Sequence, residues 1–340
     1  MYHLLDYSKE GLLTALSQWQ EVPSYRIQQI FEWIYQRGAG SIDDMNNLPK
    51  NLRAVLQEHF TLSLLDCVKR EVSKDGTVKY LFRMEDEETV ETVLIPTAKR
   101  KTICVSTQIG CAMACTFCSS GLLGLKRNLE TSEILAQLLG VMQAEKDLRI
   151  SHIVFMGIGE PLHNYNNLIR AIDVINDPSA FGIGARRITI STSGLVKGID
   201  KLAEYGKQVE LAISLHASND EKRTALMPIN KRFPLAVLMQ TCRNYVDKTG
   251  RQLTFEYVML KDVNDSLEDA RALAKLLRGL CAKVNLIPYN AMPEERFQCS
   301  SMQQMKLFQS NLEGLGVVAP LRSPRGRDIS AACGQLKLEN

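Results

Sequence analysis

The residues best suited to chemistry are three closely spaced cysteines, Cys111, Cys115 and Cys118. Cysteine thiolates are soft, strongly donating ligands that suit iron–sulfur clusters. Zinc sites usually take their ligands as two separate cysteine or histidine pairs, and no second pair follows in this sequence. The C-x3-C-x2-C spacing therefore predicts a 4Fe–4S cluster that leaves one iron free for another ligand. The alternatives are a zinc site completed from elsewhere in the chain, or plain core cysteines.

A cluster with an open iron can bind the amino and carboxylate groups of S-adenosylmethionine (SAM) and reduce its sulfonium. The products are methionine and a 5′-deoxyadenosyl radical, which abstracts hydrogen from unactivated C–H bonds. The glycines of the segment Gly157-Ile-Gly-Glu-Pro161 would let such a ligand approach the backbone, and Glu160 could pair with its ammonium group. Ordinary turns after strands also carry glycines, so this segment indicates a SAM site only together with the cysteine loop.

These groups need a scaffold, and from residue 102 the sequence alternates strand and helix patterns. Repeated βα units imply a parallel sheet with right-handed crossovers, either an open doubly wound sheet or a full or partial (β/α) barrel. Polar and glycine-rich residues follow strand after strand, and such strand ends converge on one site in a barrel, which favours the barrel. The predicted strands are 102–107, 152–156, 187–191, 210–215, 252–259, 283–287 and 317–321.

Two smaller segments precede the barrel, which we expect to span residues 99–340. Residues 1–60 predict a helical accessory module, because apolar residues recur at helical spacing in 25–37 and Gly38 then stops the helix. Residues 61–98 predict a β extension in which strands 78–83 and 90–95 form a hairpin.

The composition narrows the possible partners and compartment. A net charge of +3 gives no case by itself for a nucleic-acid partner. No apolar run approaches the length of a membrane span and the N-terminus lacks the features of a signal peptide, so we expect a cytoplasmic protein without a membrane partner. Four basic clusters could contact phosphate: Lys99-Arg100-Lys101, Lys126-Arg127, Arg186-Arg187 and Arg322/Arg325/Arg327.

Taken together, the motifs resemble the radical-SAM RNA adenine methyltransferases of the RlmN type, and the likeness covers nearly the whole chain. A late cysteine in the segment Ala332-Cys333-Gly-Gln-Leu336 is its most specific part, because few other radical-SAM families carry one in that setting. The other matching segments include Val90-Glu-Thr-Val93, Cys104 to Cys111, Gly159-Glu-Pro161, Ser191-Thr-Ser-Gly194, Ser214-Leu-His-Ala217, Leu226-Met-Pro-Ile-Asn230, Glu256-Tyr-Val-Met-Leu260 and Asn285-Leu-Ile-Pro288.

The resemblance implies a role for each of three residues outside the cysteine loop. Cys333 would accept a methyl group from one SAM, and a second SAM would supply the radical that activates this methyl for addition to carbon 2 of an adenine. Cys104 would then resolve the protein–RNA adduct, leaving a Cys104–Cys333 disulfide to be reduced. Glu91 occupies the position of the family's proton acceptor. The implied SAM contacts are Gly159, Glu160, Ser191, Ser214, Leu215, His216 and Asn290.

The resemblance also implies partners. The substrates would be 23S rRNA and tRNA, with residues 1–60 as the RNA-docking module, an external electron donor would reduce the cluster, and the enzyme would act as a monomer. A target base must leave its stack to reach a buried radical site.

Three alternatives remain open at this stage. A sister group of antibiotic-resistance enzymes methylates carbon 8 of the same rRNA adenine with the same cysteines, and Pro161 favours the carbon-2 group. A non-catalytic RNA-binding protein could keep the cluster for structure alone. A radical-SAM enzyme acting on a small molecule or peptide would not need the N-terminal helical module.

Overall fold

The structure is a computed structural model that describes residues 1–122, 124–145, 147–292 and 296–337. Within these residues, strands and helices alternate through most of the chain. The strands are β1 Tyr2–His3, β2 Phe60–Thr61, β3 Asp66–Val72, β4 Val78–Arg83, β5 Thr89–Pro96, β6 Lys101–Cys104, β7 Gln108–Gly110, β8 Leu125–Asn128, β9 His152–Phe155, β10 Ile188–Thr192, β11 Glu210–Ser214, β12 Leu253–Met259 and β13 Ala282–Pro288. The helices are α1 Lys9–Leu16, α2 Ser24–Phe31, α3 Lys50–His59, α4 Ser119–Leu122, α5 Thr131–Ala144, α6 Tyr165–Asn176, α7 Val196–Ala203, α8 Asp220–Leu226, α9 Leu235–Thr249, α10 Leu267–Leu277 and α11 Met302–Gly314.

One mixed sheet carries the fold, with the strand order β13-β12-β11-β10-β9-β6-β5-β4-β3. The six strands from β6 to β13 in this order pair in parallel with their neighbours along the chain, as βα units require. Strand β13 ends the sheet instead of closing onto β6, so the predicted α/β barrel is a partial one.

The predicted strand 317–321 is wrong as a full strand. The backbone N–H of Val284 donates to the carbonyl of Val318 and that of Leu286 to the carbonyl of Pro320, both at 2.9 Å, and one isolated bridge joins Leu286 to Leu321. Proline has no N–H to donate, so Pro320 interrupts the ladder at the point where a strand would need it.

The inner and outer faces of the barrel strands differ as their sequences require. In β10 the side chains of Ile188 and Ile190 are fully buried, whereas Ser191 points to the other face and lines the central cavity. Successive strand residues point to opposite faces of a sheet, so a single strand can supply both core and site. Helix α9 ends at Gly250, whose φ of 64° lies in the left-handed region that glycine adopts without strain.

The predicted N-terminal module is present and packs on the barrel helices. Helix α2 continues as a π-helical turn, Glu32–Gln36, before Gly38 adopts a φ of 70°. Asp6 accepts a hydrogen bond from the N–H of Ser132 at 2.7 Å at the start of α5, and its neighbouring helix carries a 2.8 Å ion pair from Lys9 to Asp177. The apolar cores of the two parts are continuous.

Strands β4 and β5 form the predicted hairpin, which β3 extends on one side and β6 joins to the barrel on the other. The hairpin is therefore fused to the first barrel strand, and residues of β5 lie next to the end of β6. Among the described residues, every helix is too short or too polar to cross a membrane.

Candidate active site

A cavity opens at the carboxyl ends of the parallel strands, where the polar residues of successive strands meet. Ten of the predicted site residues line it. Cys333 comes from the C-terminal segment, and the other nine, which include all three cysteines of the loop, are Cys111, Cys115, Cys118, Gly159, Glu160, Ser191, Ser214, His216 and Asn290. The prediction of a barrel from the sequence depended on this convergence of strand ends on one site.

The cysteine loop follows β7 and is fixed by its own backbone. Gly110 has a φ of 74°, and a Cβ added there would lie 1.9 Å from the carbonyl oxygen of Gly124. The N–H of Cys111 donates to that same carbonyl at 2.9 Å, and the N–H of Thr116 donates to the carbonyl of Leu226 at 3.0 Å. These contacts turn the chain sharply after β7 and aim the thiols into the cavity.

The three thiols lie in one buried environment. Burial, with a smaller contribution from charge on Cys118, raises the pKa of Cys111 to about 12. Burial raises the pKa of Cys115 well above its usual value in the same way, assisted by charge on Cys118 and Cys111. Such mutual effects require the sulfurs to be neighbours.

Among the described residues, no three His, Cys, Asp or Glu side chains converge on one point as ligands of a single ion. A cluster that takes each cysteine on a different iron does not need such a point. Three neighbouring soft thiols around one cavity are thus a donor set that fits an iron–sulfur cluster.

Glu160 is held rigidly beside the loop. One carboxylate oxygen accepts from the N–H of Leu162 at 3.0 Å, and the other accepts from the N–H and the hydroxyl of Ser193, both at 2.7 Å. Burial raises its pKa, and these hydrogen bonds oppose that rise. Carboxylate oxygens have further lone pairs, so Glu160 can still accept from a ligand in the cavity.

The glycines before Glu160 have a packing reason as well as a binding one. Gly159 has a φ of 108°, and a Cβ there would lie 2.6 Å from the Cβ of Gln108. A Cβ on Gly157 would lie 2.6 Å from the hydroxyl of Ser106. Both glycines therefore let the turn after β9 pack against the chain between β6 and β7, while their open sides line the cavity.

His216 is neutral and fixed in one orientation. Its Nδ1 accepts the N–H of Val258 at 3.0 Å, so the ring proton sits on Nε2. Burial lowers the pKa of His216 to about 3, with a further contribution from the charge of Arg223. Its ring meets that of Phe117, in the cysteine loop, edge to face at 4.6 Å between centroids. Leu215, in contrast, is fully buried in the apolar core, and its side chain does not line the cavity.

Cys333 lies at the wall of the cavity, on a segment that closes over the cysteine loop. Its residue is exposed, its carbonyl oxygen accepts from Nδ2 of Asn290 at 3.1 Å, and the next carbonyl, of Gly334, accepts from the N–H of Ser119 at 2.8 Å. Although the residue as a whole is exposed, desolvation where it lines the cavity raises the pKa of the Cys333 thiol, and the charge of Arg322 opposes that rise.

Cys104, the last residue of β6, is a neighbour of Cys333. Burial, with a smaller contribution from charge on Cys333, raises the pKa of Cys104 to about 12. All nine cysteines lie in the described residues and none forms a disulfide, so the disulfide between Cys104 and Cys333 stays a prediction for the reaction cycle.

Glu91, unlike most of the predicted site residues, does not lie at the cavity. Its side chain is 1% exposed, does not line the cavity, and forms a 2.8 Å ion pair with Lys79. The structure therefore places it behind the site, under the segment that carries Cys333.

The structure brings two charged residues to the site that sequence reasoning did not select, Arg223 and Glu256, and it adds Arg322, which was selected only as a possible phosphate contact. Arg223, 1% exposed, donates to the carbonyls of Ser193 and Ser214 at 2.8 and 3.2 Å. Glu256 and Arg322 line the cavity 3.6 Å apart, and burial raises the pKa of Glu256. The sequence carried a signal for Glu256, which opens one of the matching segments, whereas the hydrogen bond of Arg223 to Asn230 is visible only in the structure.

The four basic clusters do not share one face. Lys101 begins β6 and Arg187 directly precedes β10, so both of these clusters lie at the amino ends of the barrel strands, opposite the cavity. Lys126 and Arg127 lie on the cavity side but pair with Glu88 and with the acids Asp86 and Glu133. In the fourth cluster Arg322 lines the cavity and Arg327 donates to Asn290 of its wall, so this is the basic cluster that lies at the cavity.

The comparisons agree with this site. The model of the Radical SAM superfamily matches residues 105–276. A crystal structure of a radical SAM methyltransferase from Sphaerobacter thermophilus matches with a TM-score of 0.93 and 44% sequence identity, over 99% of this chain and 99% of that chain. Fold and site therefore define a radical SAM enzyme.

Comparisons that cover the rest of the chain identify the family within that class. The model of the ribosomal RNA large subunit methyltransferase N-terminal domain matches residues 2–62. Probable dual-specificity RNA methyltransferases RlmN are 47% identical in Spiroplasma citri, over 100% of this chain and 98% of the relative, and 46% identical in Geobacillus kaustophilus, over 96% and 90%. The chain belongs to the RlmN family of radical SAM RNA methyltransferases.

Proposed function

We propose that this enzyme methylates carbon 2 of one adenine in 23S rRNA and of one adenine in tRNA, with Cys333 as the carrier of the methyl group. The observation that carries the proposal is the position of Cys333, whose thiol lines the same cavity as Cys111, Cys115 and Cys118. A carrier cysteine must reach both the SAM that methylates it and the radical that activates it, and this placement supports both contacts.

The three loop cysteines would hold the 4Fe–4S cluster that radical SAM enzymes use, and Glu160, Ser191, Ser214, His216 and Asn290 would surround SAM. When both are bound, the cluster and SAM supply the 5′-deoxyadenosyl radical. Glu160 is oriented by Ser193 and Leu162 to accept hydrogen bonds from the ammonium group of SAM. His216 offers its Nε2 proton as a donor, because Nδ1 is occupied. For Gly159 we infer backbone contact, whereas Leu215 can contribute only through its backbone.

Cys333 would attack the methyl carbon of a first SAM, forming a sulfur–carbon bond as the sulfonium–carbon bond breaks and its thiol proton leaves to solvent. Two SAM molecules are then consumed in each turnover, one for this transfer and one for the radical. The activated carbon on Cys333 would bond to carbon 2 of the adenine. Carbon 2 carries no acidic proton, so radical addition is needed to reach it.

Cys104 would release the product. To restore the aromatic ring, the adduct must first lose the carbon-2 proton and one electron, for which the cluster held by the loop cysteines would be the acceptor. The proximity of Cys104 to Cys333 then supports attack of the Cys104 thiolate on the Cys333 sulfur. The S–S bond would form as the bond between that sulfur and the methylene carbon breaks, the carbon would take up a proton to become the methyl group, and an external reductant would restore both thiols. A resolving thiol with a pKa of about 12 needs its proton removed as it attacks, because the thiolate is the nucleophile. The proton-acceptor role of Glu91 stays a prediction.

We also propose three domains: the RNA-docking module 1–60, the β extension 61–98 and the partial barrel 99–340. The enzyme would work as a monomer in the cytoplasm, where both RNA substrates are found, with an external electron donor.

The proposal is tested by anaerobic incubation of cluster-loaded protein with SAM, a reductant and unmodified 23S rRNA or tRNA, followed by nucleoside mass spectrometry. We expect 2-methyladenosine from both RNAs. Formation of 8-methyladenosine would show that the enzyme belongs instead to the carbon-8 group, whose members share these cysteines. Formation of 5′-deoxyadenosine without any methylated nucleoside would contradict the proposed substrates.

A further inference from the structure

Glu256 lies in the middle of β12, on the face of the sheet that lines the cavity. The residues on either side of it, Phe255 and Tyr257, are fully buried on the opposite face, as the alternation of strand side chains requires. The N–H groups of Leu215 and His216 donate to the carbonyl oxygen of Glu256 at 3.1 and 3.3 Å. The backbone that carries this side chain is therefore fixed at the cavity wall.

The two carboxylate oxygens of Glu256 differ in their partners. Oε1 accepts from Nδ2 of Asn285 at 2.9 Å and lies 3.6 Å from Nη1 of Arg322. Oε2 is buried, and among the described residues it has no hydrogen-bond partner. A buried carboxylate oxygen without a partner costs free energy, so a donor from a molecule bound in the cavity would stabilise this site.

Arg322 places hydrogen-bond donors beside this acceptor. A separation of 3.6 Å is too long for a hydrogen bond, so the N–H groups of Arg322 are not taken up by Glu256. Both residues line the cavity together with Cys333. Burial raises the pKa of the Cys333 thiol, the charge of Arg322 lowers it and that of Glu256 raises it, so both charges lie near the sulfur.

Adenine carries the complementary pattern on its Watson–Crick edge, where the 6-amino group donates and the adjacent N1 accepts. Carbon 2 follows N1 in the same ring, whereas carbon 8 belongs to the other ring. Enzymes that act on a flipped base read it through hydrogen bonds to its Watson–Crick edge. A base held by its 6-amino group and N1 therefore presents carbon 2 beside the groups that hold it.

We propose that Glu256 and Arg322 recognise the target adenine, with Glu256 accepting from the 6-amino group and Arg322 donating to N1. The inference rests on the proposed function and gives it a reason for carbon 2. Because Cys333 lies near the pair, this binding mode turns carbon 2 towards the thiol and carbon 8 away from it. Guanine is excluded, since its O6 would meet the carboxylate and its N1–H would meet the guanidinium.

The test removes the 6-amino group from the base. RNA substrates carry either adenosine or purine ribonucleoside at the position that the wild-type enzyme methylates, and purine ribonucleoside keeps N1 and the C2–H. The two compete in one reaction with cluster-loaded enzyme, SAM and a reductant, and mass spectrometry gives the ratio of their kcat/KM values. We expect wild type to prefer adenosine at least about tenfold, because the analogue leaves Oε2 unpaired. Equal use of both substrates by wild type would overturn the proposal.

Glu256→Gln assigns that preference to the carboxylate. Asn285 continues to donate to the amide oxygen at the place of Oε1, so an NH2 group replaces Oε2 and opposes the 6-amino group. The preference for adenosine should then disappear or reverse. Glu210→Gln, at the amino end of the neighbouring strand β11, is the matched control and should keep it. A wild-type preference in Glu256→Gln, with weaker SAM binding by calorimetric titration, would assign Glu256 to SAM and overturn the proposal.

Arg322→Met tests the second contact and remains informative even if Glu256→Gln does not fold. This variant should lose the preference of wild type for adenosine over 1-deazaadenosine, in which a C–H group replaces N1. An unchanged preference in Arg322→Met would contradict the assigned contact. Absence of any methylated nucleoside with wild type would refute the proposed function, whereas equal methylation of adenosine and purine ribonucleoside would refute only this inference.

Discussion

The backbone N–H of Ser119 donates a hydrogen bond to the carbonyl oxygen of Gly334 at 2.8 Å. Each of these residues directly follows a functional cysteine, Cys118 in one case and Cys333 in the other. The cysteine loop and the segment that contains Cys333 are therefore joined through backbone atoms. We therefore expect a substitution of Cys118 to affect steps that depend on Cys333, and the reverse.

Replacement of Cys118 by alanine should abolish cluster binding and all turnover, because a ligand of the cluster is lost. Iron and sulfide content, the visible absorption of the reconstituted protein and SAM cleavage under reduction would measure this. Cys281→Ala is the matched control, since Cys281 is exposed and begins the turn into β13 at the opposite end of the sheet. SAM cleavage by the Cys118 variant at the wild-type rate would contradict the ligand assignment.

Replacement of Cys104 by alanine should trap a covalent protein–RNA species through Cys333, because the neighbouring sulfur that breaks the adduct is missing. A denaturing gel with labelled RNA, followed by peptide mass spectrometry of the crosslink, would detect the species. In Cys67→Ala, which removes an exposed thiol of β3, no adduct should accumulate. Normal turnover by the Cys104 variant would show that this residue does not resolve the adduct.

Arg223→Met should destabilise the protein by about 2–4 kcal/mol, because it leaves the carbonyls of Ser193 and Ser214 without their buried donor. We also expect weaker binding of SAM, by roughly tenfold for the loss of about 1.4 kcal/mol, since both serines belong to the cavity wall. Urea unfolding and calorimetric titration with SAM measure the two effects. Arg232→Met, an exposed arginine beyond the same helix, serves as the control and should change neither.

Acid should destabilise the folded enzyme through His216. Its folded pKa of about 3 lies below the ordinary value of 6.5, so between these values the unfolded chain binds a proton that the folded chain does not. Stability is then present above about pH 6.5 and falls as the pH drops towards 3, by about 2 kcal/mol at pH 5 from this residue.

Urea unfolding at pH 7 and pH 5 measures that loss. In His216→Asn the amide oxygen can replace Nδ1 as acceptor of the Val258 N–H, and asparagine tolerates the φ of 58° found here. The variant should lose less stability between the two pH values than wild type. An equal loss in both proteins would show that His216 is not the group responsible.

Phosphate contact should be concentrated in the arginines beside the cavity. Arg325→Gln is expected to weaken RNA binding and to reduce its salt dependence by about one counterion. Arg186→Gln, at the opposite end of the strands, should leave both unchanged. Filter binding at several salt concentrations distinguishes the two, and equal effects from both variants would contradict this orientation of RNA.

The parts of the molecule that depend on local spacing were predictable from sequence, whereas those that depend on distant partners were not. The cysteine loop, the hairpin and the βα alternation each follow from a few consecutive residues. Arg223 lies in the sequence Asp-Glu-Lys-Arg of α8, which is typical of a solvated helix start, and only the tertiary fold shows that its guanidinium is buried.

Long-range pairing explains the remaining differences. Glu91 could not be matched to Lys79 or to Lys337 without the strand register and the path of the C-terminal segment. Likewise, the sequence predicted Lys126-Arg127 to be a basic patch, whereas in the structure the hairpin turn brings Asp86 and Glu88 into ion pairs with these two residues. Pro320 was visible in the sequence, and its missing N–H was the available sign that 317–321 would not form a full strand.

The close approach of Gly110 to Gly124 gives a criterion for judging other sequences. Even alanine would place its methyl carbon 1.9 Å from the carbonyl of Gly124, so no substitution at position 110 is compatible with this backbone. A distant relative that keeps the three cysteines but lacks glycine directly before the first of them must build its loop along a different path. Such a sequence should not be assigned this reaction from its cysteines alone.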